Sequence, residues 1–238
     1  MIPEMAFAGT GDVPDKEKGF VFLFQGDSIT DGNWGRNLDP NHFLGHGYAF
    51  SIASRIGADF PQAGFTFHNR GISGNKVNDL EQRWDQDAIA LKPDVLSLLI
   101  GVNDAGAVVN NRSGACDTAA FEKKYRSILL QSQKANPDII FVLGLPFIYP
   151  VKQQIEKWNQ WERELPPRAE TVKKLAKEFN AILIDYPAMF EKAFKSAPMQ
   201  YWVWDGCHPS YAGHELMARE WIRQVSSKLK FLKKYKGG

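Results

Sequence analysis

The sequence predicts an α/β fold in which a single parallel sheet lies between layers of helices. Two observations carry this prediction. Segments 20–25, 95–100, 139–144 and 181–184, with a shorter candidate at 65–69, read as near-continuous apolar runs rather than alternating ones, the pattern of parallel strands covered on both faces. Between them, apolar residues recur at helical spacing. Strand and helix patterns alternate along the chain, and such alternation packs as a parallel sheet flanked by helices.

The elements follow in order. Phe20 to Phe24 is a five-residue apolar run that leads into Gly26 and predicts the first strand. Residues 31–46 hold Gly, Asn, Asp, Pro and His with little periodicity. Tyr48, Ile52 and Ile56 form the stripe of a helix. After the shorter strand 65–69, Val77, Leu80, Trp84 and Leu91 continue the same logic. Strand 95–100 precedes a helix carrying Phe121, Tyr125, Ile128 and Leu129, with Asp117 or Thr118 as its cap. Residues 146–165 place Pro146, Pro150, Trp158 and Trp161 amid charges and read as irregular. Pro166-Pro167 is expected to open the next helix, with Val172, Leu175, Ala176 and Phe179 on one face. Ala218, Ile222, Val225 and Leu229 mark a C-terminal helix. Both irregular stretches start at the carboxyl ends of strands, where long segments can wall a pocket.

The chain of 238 residues reads as one domain, with 1–18 as an N-terminal extension and 230–238 as a basic tail. At 44% hydrophobic residues it can bury a substantial core. The basic stretch 228–236 reads as a solvated helix end. With 29 basic and 27 acidic residues the formal charge is +2. That balance, without a basic stripe, excludes the usual signature of a nucleic-acid binder. No apolar run approaches the roughly 20 residues of a membrane span. The first 18 residues lack a basic start and a long apolar core, so they do not read as an intact signal peptide. Location and oligomeric state are left open. The two cysteines, Cys116 and Cys207, form neither a disulfide framework nor a zinc signature, and whether they pair is also open.

Gly26-Asp27-Ser28-Ile29-Thr30 follows the first strand directly. Open α/β sheets place their chemistry at this rim, outside the carboxyl ends of the strands. Ser28 is therefore the candidate nucleophile. A serine hydroxyl needs a base to take its proton. Of five histidines, only His208 combines a carboxylate three residues earlier, Asp205, with a tight glycine-containing loop and a following proline. The aspartate can hold the imidazole tautomer while the ring faces the serine. Gly71 can bring its N–H close to a ligand because it lacks a side chain. Asn103 can aim an amide at developing negative charge. Both follow predicted strands at the same rim.

These four blocks, with Asn69-Arg70-Gly71-Ile72-Ser73-Gly74-Asn75, Gly101-Val102-Asn103-Asp104 and Asp205-Gly206-Cys207-His208-Pro209 after the first, resemble the signature blocks of the SGNH (GDSL-type) hydrolases. They fall in the family's order across residues 26–209. The one departure is Ile29 where the family name has leucine. The resemblance implies a flavodoxin-like three-layer α/β/α sandwich with a five-stranded parallel sheet. It implies Ser28, Asp205 and His208 as the catalytic set and Ser28, Gly71 and Asn103 as the oxyanion hole. Segments 44–48, 69–80 with Arg83-Trp84, and Trp204-Asp205 are most similar to the acetyl xylan esterase-like, carbohydrate-deacetylating branch. Lysophospholipases and thioesterases of the same mechanism are the alternative.

The expected substrate is thus a small-molecule or oligosaccharide ester, handled without metal or organic cofactor. Trp204, Asp27 and Trp34 are candidate substrate contacts, and Asp27 and Asp31 also shape the serine loop through side-chain to backbone bonds. Ser73 lacks an evident base. No Gly-x-Ser-x-Gly elbow occurs, which argues against the α/β-hydrolase fold. A metal-dependent alternative would draw on Asp27, Asp31, Asp205, His208 and His214.

Overall fold

The computed structural model describes residues 13–37 and 39–234. Five strands form one sheet: β1 (Val21–Gly26), β2 (Thr66–Asn69), β3 (Val95–Leu99), β4 (Ile140–Gly144) and β5 (Ile182–Ile184). Their order is β2-β1-β3-β4-β5, and every pair is parallel. This is the flavodoxin-like order, in which the chain reverses direction of travel across the sheet between β1 and β3. The crevice outside the carboxyl ends of those two strands is where such folds bind ligands.

Successive side chains on a strand face opposite sides, and that rule builds two cores. Phe22 and Phe24 of β1 pack with Val95 and Leu99 of β3 in one cluster, against Tyr48, Ile52 and Ile56 of α2 (Tyr48–Asp59) and Trp221 of α9 (Tyr211–Val225). Leu23, Leu96 and Leu98 enter the other cluster, against Leu80 and Trp84 of α3 (Val77–Asp87) and Tyr125 and Ile128 of α5 (Thr118–Ala135). The helices α4 (Val102–Val109), α6 (Trp158–Glu178), α7 (Tyr186–Ala193), α8 (Met199–Trp202) and α9 (Tyr211–Val225) complete the layers around a one-turn α1 (Ser28–Asp31). The two most deeply buried indoles each find a hydroxyl: Trp221 Nε1 donates to Ser97 Oγ at 3.0 Å and Trp84 Nε1 to Ser132 Oγ at 3.0 Å. Buried Trp N–H groups need such partners.

Three expectations about elements are corrected. Pro166 and Pro167 do not open a helix; they lie inside α6, which already starts at Trp158. Both prolines, and the residues Glu162 and Arg163 whose carbonyls they leave without an intrahelical donor, are exposed. Leu91 does not continue α3. The helix stops at Ala88, and Ile89–Leu91 forms a 3₁₀ turn closed by Lys92 in the left-handed region. The basic tail is not a solvated helix end. α9 ends at Val225, and Lys230–Lys234 forms a 3₁₀ turn that buries Phe231 and Leu232. Phe231 meets Phe60 edge-on and stacks on Phe65, with centroids 4.9 and 5.2 Å away. The apolar residues between the lysines decide the docking. Residues 1–12 of the N-terminal extension and 235–238 of the tail lie outside the described residues. No helix among the described residues is long and apolar enough to cross a membrane. Cys116 and Cys207 are free thiols.

Candidate active site

β1 ends at Gly26, where a Cβ would run into the Leu99 carbonyl oxygen and Thr30 Oγ1. Only glycine lets the chain turn there against β3. Asp27 then caps α1: its Oδ1 accepts the Ile29 N–H at 3.0 Å. Ser28 follows as the first residue of α1. In that position its N–H precedes the intrahelical ladder, and it has no acceptor among the described residues.

The base arrives from the other end of the chain. An isolated bridge pairs Val203 with Pro209, and the segment between them carries Asp205 and His208. Ser210 caps α9 directly behind, its Oγ accepting the Gly213 N–H. Asp205 Oδ1 accepts the N–H groups of His208 (2.7 Å) and Cys207 (2.9 Å). Its Oδ2 lies 2.8 Å from His208 Nδ1, and His208 Nε2 lies 2.8 Å from Ser28 Oγ. Three side chains are thus connected in one line across 180 residues of sequence.

The electrostatics fit this line. Burial pushes the Asp205 carboxyl up, but the His208 ring and two backbone N–H groups outweigh it and hold the group below its ordinary value. Asp205 in turn raises His208, against the opposing effect of desolvation. Aspartate therefore stays ionised and steadies a positive imidazole.

The expected oxyanion donors surround the hydroxyl differently from one another. Asn103, the second residue of α4, donates one amide hydrogen to the Asn75 carbonyl at 3.2 Å. Gly71 is needed for packing: a Cβ there would strike the Asp31 nitrogen. Its N–H, expected to point at a ligand, also donates to Asn69 Oδ1 at 3.0 Å, the local turn that asparagine favours.

Asn69 was not singled out from sequence, and it holds the site together. It is fully buried. Its Nδ2 donates to the carbonyls of Thr30 (2.8 Å), Leu44 (3.0 Å) and Asp31 (3.1 Å), joining the end of β2 to α1 and the 31–46 segment. Nothing local marked it, because all three acceptors lie at least 25 positions away. Asp31 does the loop-shaping expected of it through Oδ2, which takes the Ser73 N–H, the Ser73 hydroxyl and Arg36. Ser73 is thereby engaged and faces no imidazole.

The candidate substrate contacts divide. Trp204 is 49% exposed and stacks on the His208 ring at 6.4 Å, with Lys152 Nζ 4.1 Å from its centroid. Trp34 is half-buried: its Nε1 donates to the Gly71 carbonyl, and the Arg36 guanidinium covers its ring at 4.1 Å. Asp27 shows no surface at all, so it cannot touch a substrate from where it lies. Burial pushes its carboxyl up to about 7, and its Oδ2 has no hydrogen-bond partner among the described residues. The five residues of the metal-dependent alternative go separate ways: Asp31 to Arg36 and Ser73, Asp205 to His208, and His214 Nδ1 to the Tyr48 N–H at 3.1 Å. Burial lowers His214 to about 4 and keeps it neutral. Among the described residues, no three His, Cys, Asp or Glu side chains gather as a metal site. Burial also raises the Cys207 thiol well above its usual range, which disfavours the thiolate.

Residues 24–216 match the model of the GDSL-like Lipase/Acylhydrolase family. The chain belongs to this family. It is accordingly a carboxylic ester hydrolase, and all four sequence blocks lie inside the matched residues. Over 212 residues it is 34% identical to an acetylxylan esterase of Geobacillus stearothermophilus, covering 87% of this chain and 94% of that one. The crystal structure of Axe2, an acetylxylan esterase of the same organism, superposes with a TM-score of 0.76 at 31% identity, over 89% of this chain and 96% of that one. A GDSL-like protein of Parabacteroides merdae superposes with a TM-score of 0.81 at 34% identity, over 89% and 98% of the two chains. The α/β fold with its five-stranded parallel sheet is that of these hydrolases.

Proposed function

We propose that the protein removes acetyl groups from a carbohydrate through an acyl-enzyme intermediate on Ser28. The observation that carries the mechanism is the continuous Ser28–His208–Asp205 contact, 2.8 Å at each step. Ser28 Oγ attacks the ester carbonyl while His208 Nε2 takes its proton. Asp205 holds the Nδ1–H and steadies the imidazolium without taking the proton. The tetrahedral oxyanion meets the Ser28 N–H and the remaining amide hydrogen of Asn103, two donors at the positive end of short helices. The Gly71 N–H joins them as a shared donor alongside Asn69 Oδ1. His208 then protonates the leaving alcohol, the acetyl group stays on Ser28, and water repeats the sequence to free acetate.

The carbohydrate part of this reading is supported by the relatives named as acetylxylan esterases and by the exposed indole of Trp204 beside the base. Acetate release from a panel of acetylated oligosaccharides, run beside p-nitrophenyl esters of graded chain length, tests it. A steep fall in kcat/KM beyond two to four carbons is expected; a rise towards long chains would assign the site to lipids. Ser28→Ala should lower turnover by about 10⁴ or more and leave stability almost unchanged. Wild-type protein should gain the mass of a serine-directed phosphonate at Ser28, and the variant should not.

A further inference from the structure

The leaving alcohol of an ester held at Ser28 lies against His208, which must protonate it. Beside His208 and Asn103 the structure opens a cleft of about 380 Å³ between the end of α4 and the 3₁₀ segment Lys152–Lys157. An acetyl group needs only a small part of that volume. The floor of the cleft is apolar: Trp161 lies against Gly106 so closely that a Cβ there would come within 2.9 Å of its Cη2. The rim is polar, with Asn110, Gln153 and Gln154 beside Arg112, Glu156 and Lys157. An apolar floor with convergent polar groups around it suits a ring with C–H faces and equatorial hydroxyls.

The charge on this rim is uneven. Arg112 is exposed and makes no ion pair among the described residues. Lys157 is held by neutral oxygens, Asn110 Oδ1 at 2.8 Å and the Val109 carbonyl at 3.5 Å. Lys152 rests on the Trp204 ring instead of on a carboxylate. Lys152 thus stands outside the cleft lining, and against its two cations, Arg112 and Lys157, the rim sets one acid, Glu156, while Asp205 is committed to His208. From this excess, and resting on the carbohydrate reading above, we infer that the cleft seats a glycan bearing a carboxylate. The preferred substrate is then an acetyl ester on a uronate-containing oligosaccharide, with Arg112 as the specificity-determining contact for the carboxylate.

The test compares two acetylated xylo-oligosaccharides of equal length, one carrying a single uronic acid substituent, with acetate release as the readout. At roughly 10 mM salt the acidic substrate should show about fivefold higher kcat/KM, the fold-change of one exposed ion pair near the top of its range. The preference should appear in KM and vanish near 1 M salt, where the screening length falls to about 3 Å. Arg112→Gln should bring the acidic-to-neutral ratio close to one, and Glu156→Gln should raise it. A merely structural role for either residue would not move the ratio in opposite directions. Equal kcat/KM for the two substrates at low salt, or a ratio untouched by Arg112→Gln, overturns the inference and leaves the deacetylase reading standing. No turnover of either oligosaccharide, beside normal hydrolysis of p-nitrophenyl acetate, overturns the carbohydrate reading and this inference with it.

Discussion

Asn69→Ala should weaken both the fold and the reaction, by amounts that follow from its hydrogen bonds. The side chain makes four of them, at 2.8 to 3.1 Å, with no solvent access. Truncation spares one partner, since the Asp31 carbonyl also accepts the Trp34 N–H. The Thr30 and Leu44 carbonyls and the Gly71 N–H keep no other partner among the described residues. A buried group left unsatisfied costs about 1–3 kcal/mol. At the low end of that range, three such groups give about 3 kcal/mol. For a chain of this size that corresponds to a fall in Tm of roughly 6–12 °C. Calorimetry reads this directly. The same change unties α1, and with it Ser28, from the end of β2. Proton transfer and attack require reacting atoms held about 3 Å apart, and small misplacement is expensive, so kcat on p-nitrophenyl acetate should fall by about 10²-fold. Asn69→Asp is the sharper control. It retains an acceptor for the Gly71 N–H but turns a carboxylate towards three carbonyls, so it should destabilise at least as much as alanine. A Tm drop under about 2 °C for the alanine variant, with kcat intact, would refute the view that this amide holds the serine in place.

Other predictions concern the reacting groups. Asp205→Asn keeps an oxygen for the two backbone N–H groups but offers the imidazole a donor in place of an acceptor. The ring then adopts the tautomer that cannot take the Ser28 proton, and kcat should fall by about 10³–10⁴; a loss below tenfold would exclude this role. In the wild type, kcat/KM requires neutral His208, whose pKa Asp205 raises above 6.5, so the acid limb of the pH profile should lie above that value. Asn103→Ala should lower kcat by roughly 10²–10³ with little change in KM, read by steady-state kinetics; an effect confined to KM would remove Asn103 from oxyanion binding. Asp27 stays protonated in the folded protein up to about 7, whereas an unfolded chain releases that proton near 3.8. Across this interval the native state binds the extra proton, so Asp27 lowers stability progressively as pH rises. Asp27→Asn should therefore gain on the wild type between about pH 4 and 7 and hold its advantage above, as measured by urea unfolding at a series of pH values. A difference independent of pH would show the carboxyl to be ionised throughout.

The middle of the sheet could be read from the chain because β1, β3 and β4 are covered on both faces and need near-continuous apolar runs; they lie within one residue of the segments 20–25, 95–100 and 139–144. The Asp205–His208 pair was equally visible, since both members sit on one short loop. What stayed hidden depends on partners far along the sequence. Pro166 and Pro167 look like a helix start by local rules, yet Leu165 directly before them and Trp161 more than a turn earlier are buried and extend α6 backwards. The lysines of the tail masked Phe231 and Leu232, whose burial depends on Phe60 and Phe65 being nearby. Gly71 was chosen for its free N–H, and the structure gives that N–H an acceptor two residues away. Trp34 looked available on an irregular segment, but the Gly71 carbonyl and Arg36 occupy its nitrogen and one face.

The acid and the base are only three positions apart, whereas the nucleophile stands 180 positions from the imidazole. Two of the three reacting groups are thus a local construction, and a single separation has to be set by the whole tertiary structure. Ester hydrolysis consequently serves as a ruler between the first strand and the last helix. Heating that lets α9 shift on the sheet will silence the enzyme while most of its secondary structure still gives a native circular-dichroism signal.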